Sequence, residues 1–180
     1  MMDVTTVLKD QHAEIRRAFV RAARPGPRRA GEFPRLVRML AQHEAAEEAH
    51  VHPTTRRLGR GATAAARVGE EERTKQLLAR LWEIGPHGAG YLRCLAALGR
   101  EVLRHAAREE REEFPALERL GPARRWLLVV EIRLAKELAP TRPHPKIRGE
   151  LANKLAMPVF GPADRLRDLA GRLSDSRNGR

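Results

Sequence analysis

Two segments of the chain follow one pattern. HEAAEEAHVHP (43–53) and HAAREEREEFP (105–115) superpose when the first is shifted by 62 positions. His43 then lands on His105, Glu47 on Glu109, Glu48 on Glu110 and Pro53 on Pro115. Both segments continue apolar stripes of helical period. Leu36, Leu40, His43 and Glu47 follow 4-3-4 spacing, and Leu95, Leu98, Val102, His105 and Glu109 fall on one stripe. His12 sits on a third stripe, between Leu8 and Ile15, with Phe19 beyond. Residues at i and i+4 share a helix face, so each His–Glu pair projects together, and it projects toward the core. Such a chain must bury three imidazoles and two carboxylates inside a helical bundle. Unpaired carboxylates there are expensive. Cations held in the bundle interior compensate, and imidazole nitrogen with carboxylate oxygen suits iron, manganese or zinc. One His-x-x-x-Glu alone reads equally as a local hydrogen-bonded pair. The repeat, with His12 on a third stripe, points to a dinuclear metal site.

The remaining periodicity is helical, and no strand pattern competes. Val4 to Ala23 reads as a first helix, RPGPRRAGEFP (24–34) as its break, and Phe33 to Arg57 as a second helix. Thr63 to Ile84 forms a third, on Val68, Leu77, Leu78, Leu81 and Ile84; GPHGAG (85–90) turns the chain; Tyr91 to Leu120 forms a fourth. Ala123 to Leu138 is a shorter fifth helix holding Trp126, Leu127, Val130 and Leu134. APTRPHPKIRGE has three prolines in twelve residues and is irregular, leaving an extended arm and a short helix near Pro162 to Leu173. The expected fold is all-α: an up-down-up-down four-helix bundle with a fifth helix and a Pro-rich C-terminal extension. Residues 1–120 make the bundle, and residues 121–180 a helix and tail packed on or beside it.

Composition narrows the function. No run of eighteen apolar residues is present, so no membrane span is expected, and the N-terminus lacks the apolar region of a signal peptide. One cysteine, Cys94, excludes a disulfide framework and fits a cytoplasmic protein. It is expected as a core or boundary thiol. The net charge is +12, which raises nucleic acid as a partner. Arginine is spread over every segment, however, and aromatics are only 4%. Weak non-specific attraction is expected, specific nucleic-acid binding is not. His87 lies in a Gly-rich turn and His144 between prolines, neither with a partner in the pattern.

The segments DQHAEIRR (10–17), HEAAEEAHVHP (43–53) and HAAREEREEFP (105–115), with their spacing, resemble the hemerythrin-like, HHE cation-binding family over residues 3–120. The resemblance implies a four-helix bundle around two non-haem irons, joined by an oxo group or by carboxylates, with manganese or zinc as alternatives. His12, His43, Glu47, His105 and Glu109 match family ligand positions, the two glutamates as bridges. The family also expects a histidine early in the third helix, where this chain has GEEERTK (69–75). Helix one sets its ligand three and seven residues before apolar positions; the same rule counted back from Leu78 selects Glu71. Direct alignment with the family's Glu-Glu-His favours Glu72. A carboxylate in place of an imidazole makes a harder, more anionic site, which favours the ferric state over reversible oxygen carriage.

His50 follows Glu47 by three residues, on the expected core stripe, with Glu112 as its repeat mate. It reads either as a replacement for the lost nitrogen or as a hydrogen-bond partner of Glu112. His52 is expected at the surface. Glu44, Glu48 and Glu110 flank the ligands and either orient imidazoles or face solvent. Family members bind or react with dioxygen, peroxide or nitric oxide, or sense iron and oxygen. The expected function is therefore binding or reduction of a small oxidant, with catalase-like peroxide handling as its enzymatic form. A non-enzymatic redox sensor or iron-handling module is the second reading, and a structural metal beside a basic nucleic-acid-binding surface the third.

Overall fold

The computed structural model describes residues 3–138, and all regular structure among them is helical. Helix α1 spans Val4–Ala23. Its first turn is closed by Asp3, whose Oδ1 accepts from the Thr5 amide at 3.0 Å and the Thr5 hydroxyl at 2.9 Å. Helix α2 (Arg28–Ala46) runs through a π turn, π1 (Glu47–Val51), into α3 (His52–Arg57) as one rod. Helix α4 spans Gly61–Ile84. Helix α5 (Tyr91–Arg108) likewise passes through a second π turn, π2 (Glu109–Glu113), into α6 (Phe114–Leu117). Helix α7 spans Pro122–Leu138. The result is five helical rods, with α1 packed on α2 and α4 on α5. The expected short helix at 162–173, the extended arm and His144 lie outside the described residues.

Two expectations need correcting. The break at 24–34 is shorter than its prolines suggest, because the second rod begins at Arg28 and carries Pro34 inside it. The ring frees only the Ala30 carbonyl, and both residues are exposed, so water satisfies what the helix cannot. Helix α7 buries Leu128, Val129, Ile132 and Ala135, while Trp126, Leu127 and Leu134 are exposed. Both sets have helical spacing, and only packing against the bundle decides between them.

Between α4 and α5 the chain turns on glycine. Gly90 has φ +86°, and a Cβ at Gly88 would lie 2.0 Å from the Ile84 carbonyl oxygen.

The core is divided in two. One cluster holds Ile15, Phe19, Leu36, Leu40, Leu78, Leu81, Leu95 and Leu98. The other holds Val4, Leu8, Val51, Phe114 and Leu117 under Leu128 and Ile132 of α7. His12, His43 and His105 fall in sequence between members of the two clusters, and all three are buried. A polar layer thus interrupts the apolar interior.

Candidate metal centre

The polar layer is built where three rods pass from one apolar cluster to the other. His12 comes from α1, His43 from α2, Glu47 from π1, Glu71 from α4, His105 from α5 and Glu109 from π2. Glu47, Glu71 and Glu109 are fully buried, and the three histidines are nearly so. His43 Nε2 lies 3.2 Å from Glu47, and His105 Nε2 lies 3.4 Å from Glu109. His12 Nε2 reaches both carboxylates, Glu109 at 3.3 Å and Glu47 at 3.8 Å. Glu71 lies 3.9 Å from His105 Nε2. Glu71 is therefore the inward member of the Glu71/Glu72 alternative; Glu72 is half-buried and accepts from Gln76 at 3.4 Å.

Each inward imidazole is held from behind. His12 Nδ1 meets Glu110 at 2.8 Å, His43 Nδ1 meets Gln11 at 3.0 Å, and His105 Nδ1 meets Glu70 at 3.1 Å. An oxygen acceptor at Nδ1 fixes the tautomer that presents an Nε2 lone pair to a metal. Glu70 is itself gripped by Arg108 and by Arg67, the latter at 3.2 Å. Of the flanking residues singled out in the sequence, Glu110 orients His12, while Glu48 is ion-paired with Lys75.

His52 is the main departure from the sequence reading. It is 1% exposed, not at the surface. Its Nε2 lies 2.7 Å from Glu71, and its Nδ1 lies 3.0 Å from Glu113, which is also fully buried. His50 does not face this layer. It is 27% exposed and lies 3.8 Å from Glu131 of α7. Glu112 likewise turns outward, to Arg111 at 2.5 Å and Arg67 at 3.4 Å. The cause is the π turn. The His52 amide donates to the Glu47 carbonyl and the Phe114 amide to that of Glu109, five residues back instead of four. One extra residue in the turn rotates everything after it, so positions four and five beyond the glutamate face inward in place of three and four. Pro53 and Pro115 follow each turn by two residues. Each lacks the amide that an α-helix would require there, and the wider turn accommodates the ring. The shared proline was the sequence signal for this shift.

The electrostatics are those of a crowded anionic site. Burial opposes charge on His12, yet Glu109 and Glu47 outweigh it and raise its pKa to about 10. Burial and then repulsion from Glu109 lift Glu47 to about 8. His52 and His105 are raised well above the usual imidazole value against the pull of burial, chiefly by Glu71 and Glu109 respectively. Burial drives His43 well below it, so this ring is neutral. Glu44 is pushed well above the carboxylate range by burial and by Glu71.

These residues fit cations. Nε2 of His12 and His105, both oxygens of Glu47 and of Glu109, and Oε2 of Glu71 are buried without a hydrogen-bond partner. Native interiors rarely leave such atoms unsatisfied, and a bound ion is one recognised explanation. His12, His43, Glu47 and Glu109 each offer one atom, all within 4.8 Å of one another. Glu47, Glu71 and His105 form a second such group, and His52, Glu109 and Glu113 a third. Glu47 and Glu109 are shared between groups, as bridging carboxylates would be.

Beside the layer lies a cavity of about 10 Å³, room for one water-sized molecule. His12, His43, His105, Glu44 and Thr74 line it together with Ile15, Leu40, Val102 and Leu103. No helix among the described residues is long and apolar enough to cross a membrane.

The comparisons agree with the helical fold. No curated protein matches the sequence. The structure is similar to that of a hemerythrin HHE cation binding domain-containing protein from Mycobacterium kansasii, with a TM-score of 0.66 at 19% identity. The similarity covers 76% of this chain and 88% of the other. The hemerythrin HHE cation binding domain matches residues 3–118, which hold the four rods that precede α7, and the chain belongs to that family.

Proposed function

We propose that the chain holds two iron ions between His12, His43, Glu47, Glu71, His105 and Glu109 and binds or reduces a small oxidant: dioxygen, peroxide or nitric oxide. The observation that carries this reading is the set of buried, unpartnered nitrogen and oxygen atoms converging from four rods. Iron held there would supply a Lewis-acid centre and, in its ferrous form, electrons for reduction. The protein supplies the rest. Glu110, Gln11 and Glu70 hold three imidazoles with Nε2 inward. Glu47 belongs to both ligand groups, Glu109 reaches His12 and His105, and their carboxylates would offset the charge of the bound cations. Leu40, Val102 and Leu103 wall a cavity with room for one water-sized molecule, which favours the smallest ligands. Glu44 lines the same cavity, and its raised pKa keeps a proton at the carboxyl, available to an oxidant that gains electrons.

Metal analysis of the purified full-length chain, with its near-ultraviolet spectrum before and after peroxide, tests the proposal. Two irons per chain and a spectrum that changes with peroxide are expected. Peroxide disproportionation that disappears in His105→Ala identifies an enzyme. No turnover, with a change in shape on oxidation, identifies a sensor. A protein that takes up no metal sinks both.

A further inference from the structure

We propose that His52 is a fourth imidazole ligand, supplying to the cation near Glu71 the nitrogen that α4 lacks, with Glu113 as the carboxylate that orients its ring. The inference rests on the dinuclear reading above and goes beyond it, because nothing in the family pattern assigns either residue a role.

Two observations carry it. First, His52 is built like the other three inward histidines. In each, Nδ1 meets an oxygen acceptor and Nε2 lies near a fully buried carboxylate. A carboxylate on one ring nitrogen and a metal on the other is the common arrangement of a ligating histidine. Second, His52 touches a residue assigned to that ion and shares a donor group with the other shared carboxylate. Donor atoms about 2.1 Å from a metal are separated by roughly 3.0–3.4 Å at tetrahedral or octahedral angles. His52 Nε2 lies 2.7 Å from Glu71, so the two part by a few tenths of an ångström to share one ion, and His52 also falls within 4.8 Å of a donor atom of Glu109.

The opposing account makes His52 a purely structural cation clasped by Glu71 and Glu113, remote from the metal. The two accounts separate in a protein labelled with nitrogen-15 in histidine and loaded with zinc, which is diamagnetic. Four imidazoles are expected to show metal-bound Nε2 and protonated Nδ1, the His52 signal being assigned by its loss in His52→Gln. If His12, His43 and His105 respond and His52 keeps its metal-free shifts, the inference fails and the dinuclear site stands. If no imidazole responds, the dinuclear reading fails and takes the inference with it.

Zinc titration of His52→Ala provides the second readout. One site is expected to persist and the other to weaken by tenfold or more, with Glu113→Gln weakening the same site about 10–100-fold. Two sites of unchanged affinity in His52→Ala overturn the proposal. The number of metal-bound imidazoles in the wild-type spectrum, four or three, decides the matter even if neither variant folds.

Discussion

Past the first π turn's glutamate the two residues that face the core are Val51 and then His52; past the second's they are Glu113 and then Phe114. The 62-residue shift aligns Val51 with Glu113 and His52 with Phe114. The two turns therefore share a backbone and reverse the order of apolar and polar. The reversal is complementary. Phe114 stacks on His12 with ring centroids 5.7 Å apart, and Val51 joins the same apolar cluster. His52 and Glu113 meet each other at 3.0 Å. A duplicated motif has thus become two halves of one device, one contributing an imidazole and the other its partner carboxylate.

Lengthening one turn should erase the comparison altogether. Insertion of an alanine after Ala49, which is buried in π1, moves His52 to six residues beyond Glu47, farther than the wider turn absorbs, and turns it away from Glu71. A loss of more than about 4 kcal/mol in urea unfolding is expected, with loss of at least one metal. The apolar members come next. Phe114→Ala should cost about 3–5 kcal/mol, and Val51→Ala about 2 kcal/mol, because fewer buried carbons are removed. Equal losses in the same denaturation series would show that the turns are not differentiated as described.

The orienting residues differ in the same way. Glu110 holds His12, whereas its repeat mate Glu48 holds Lys75. Glu110→Gln should weaken metal binding about 10–100-fold by titration, and Glu48→Gln far less.

The pH dependence comes from the shared carboxylate and its imidazole. His12 is raised to about 10 from 6.5, so its contribution is full below pH 6.5 and is lost as pH rises through 10. Glu47, raised from 4.5 to about 8, keeps its proton in the fold, and its burial becomes a penalty as pH climbs from 4.5 through 8. Chelator-treated protein should therefore lose stability from neutral to alkaline pH. The metal-loaded protein should not, because ligation requires those protons to leave. Melting curves at several pH values, with and without zinc, check this. The smallest effect is expected for His50→Ala: no change in metal content and no more than about 0.5 kcal/mol in stability.

The helical bundle and most of the inward residues could be read from period alone. Leu36, Leu40, His43 and Glu47 keep α spacing, and so do Leu95 to Glu109, because the helix is regular up to each glutamate. The reading failed one turn later, at His50 and His52, where a period of 3.6 no longer applies. It also missed Glu70 and Gln11, whose roles depend on which rod lies opposite, and no spacing within one helix encodes that. On α4 the inward face carries Arg67, Glu70, Glu71 and Thr74 besides Leu78 and Leu81, so an apolar search favoured the half-buried Val68. Helix α7 presented two apolar faces and no internal reason to prefer either.

The polar layer between the two apolar clusters has a bearing on how long the chain survives. Its carboxylates and imidazoles are buried in the folded chain and free in the unfolded one, so cations that bind the first and not the second deepen the folded state in proportion to their supply. Proteases cut chains that open. The half-life of this protein under proteolysis should therefore rise and fall with the metal available to it, independently of any chemistry the metal performs.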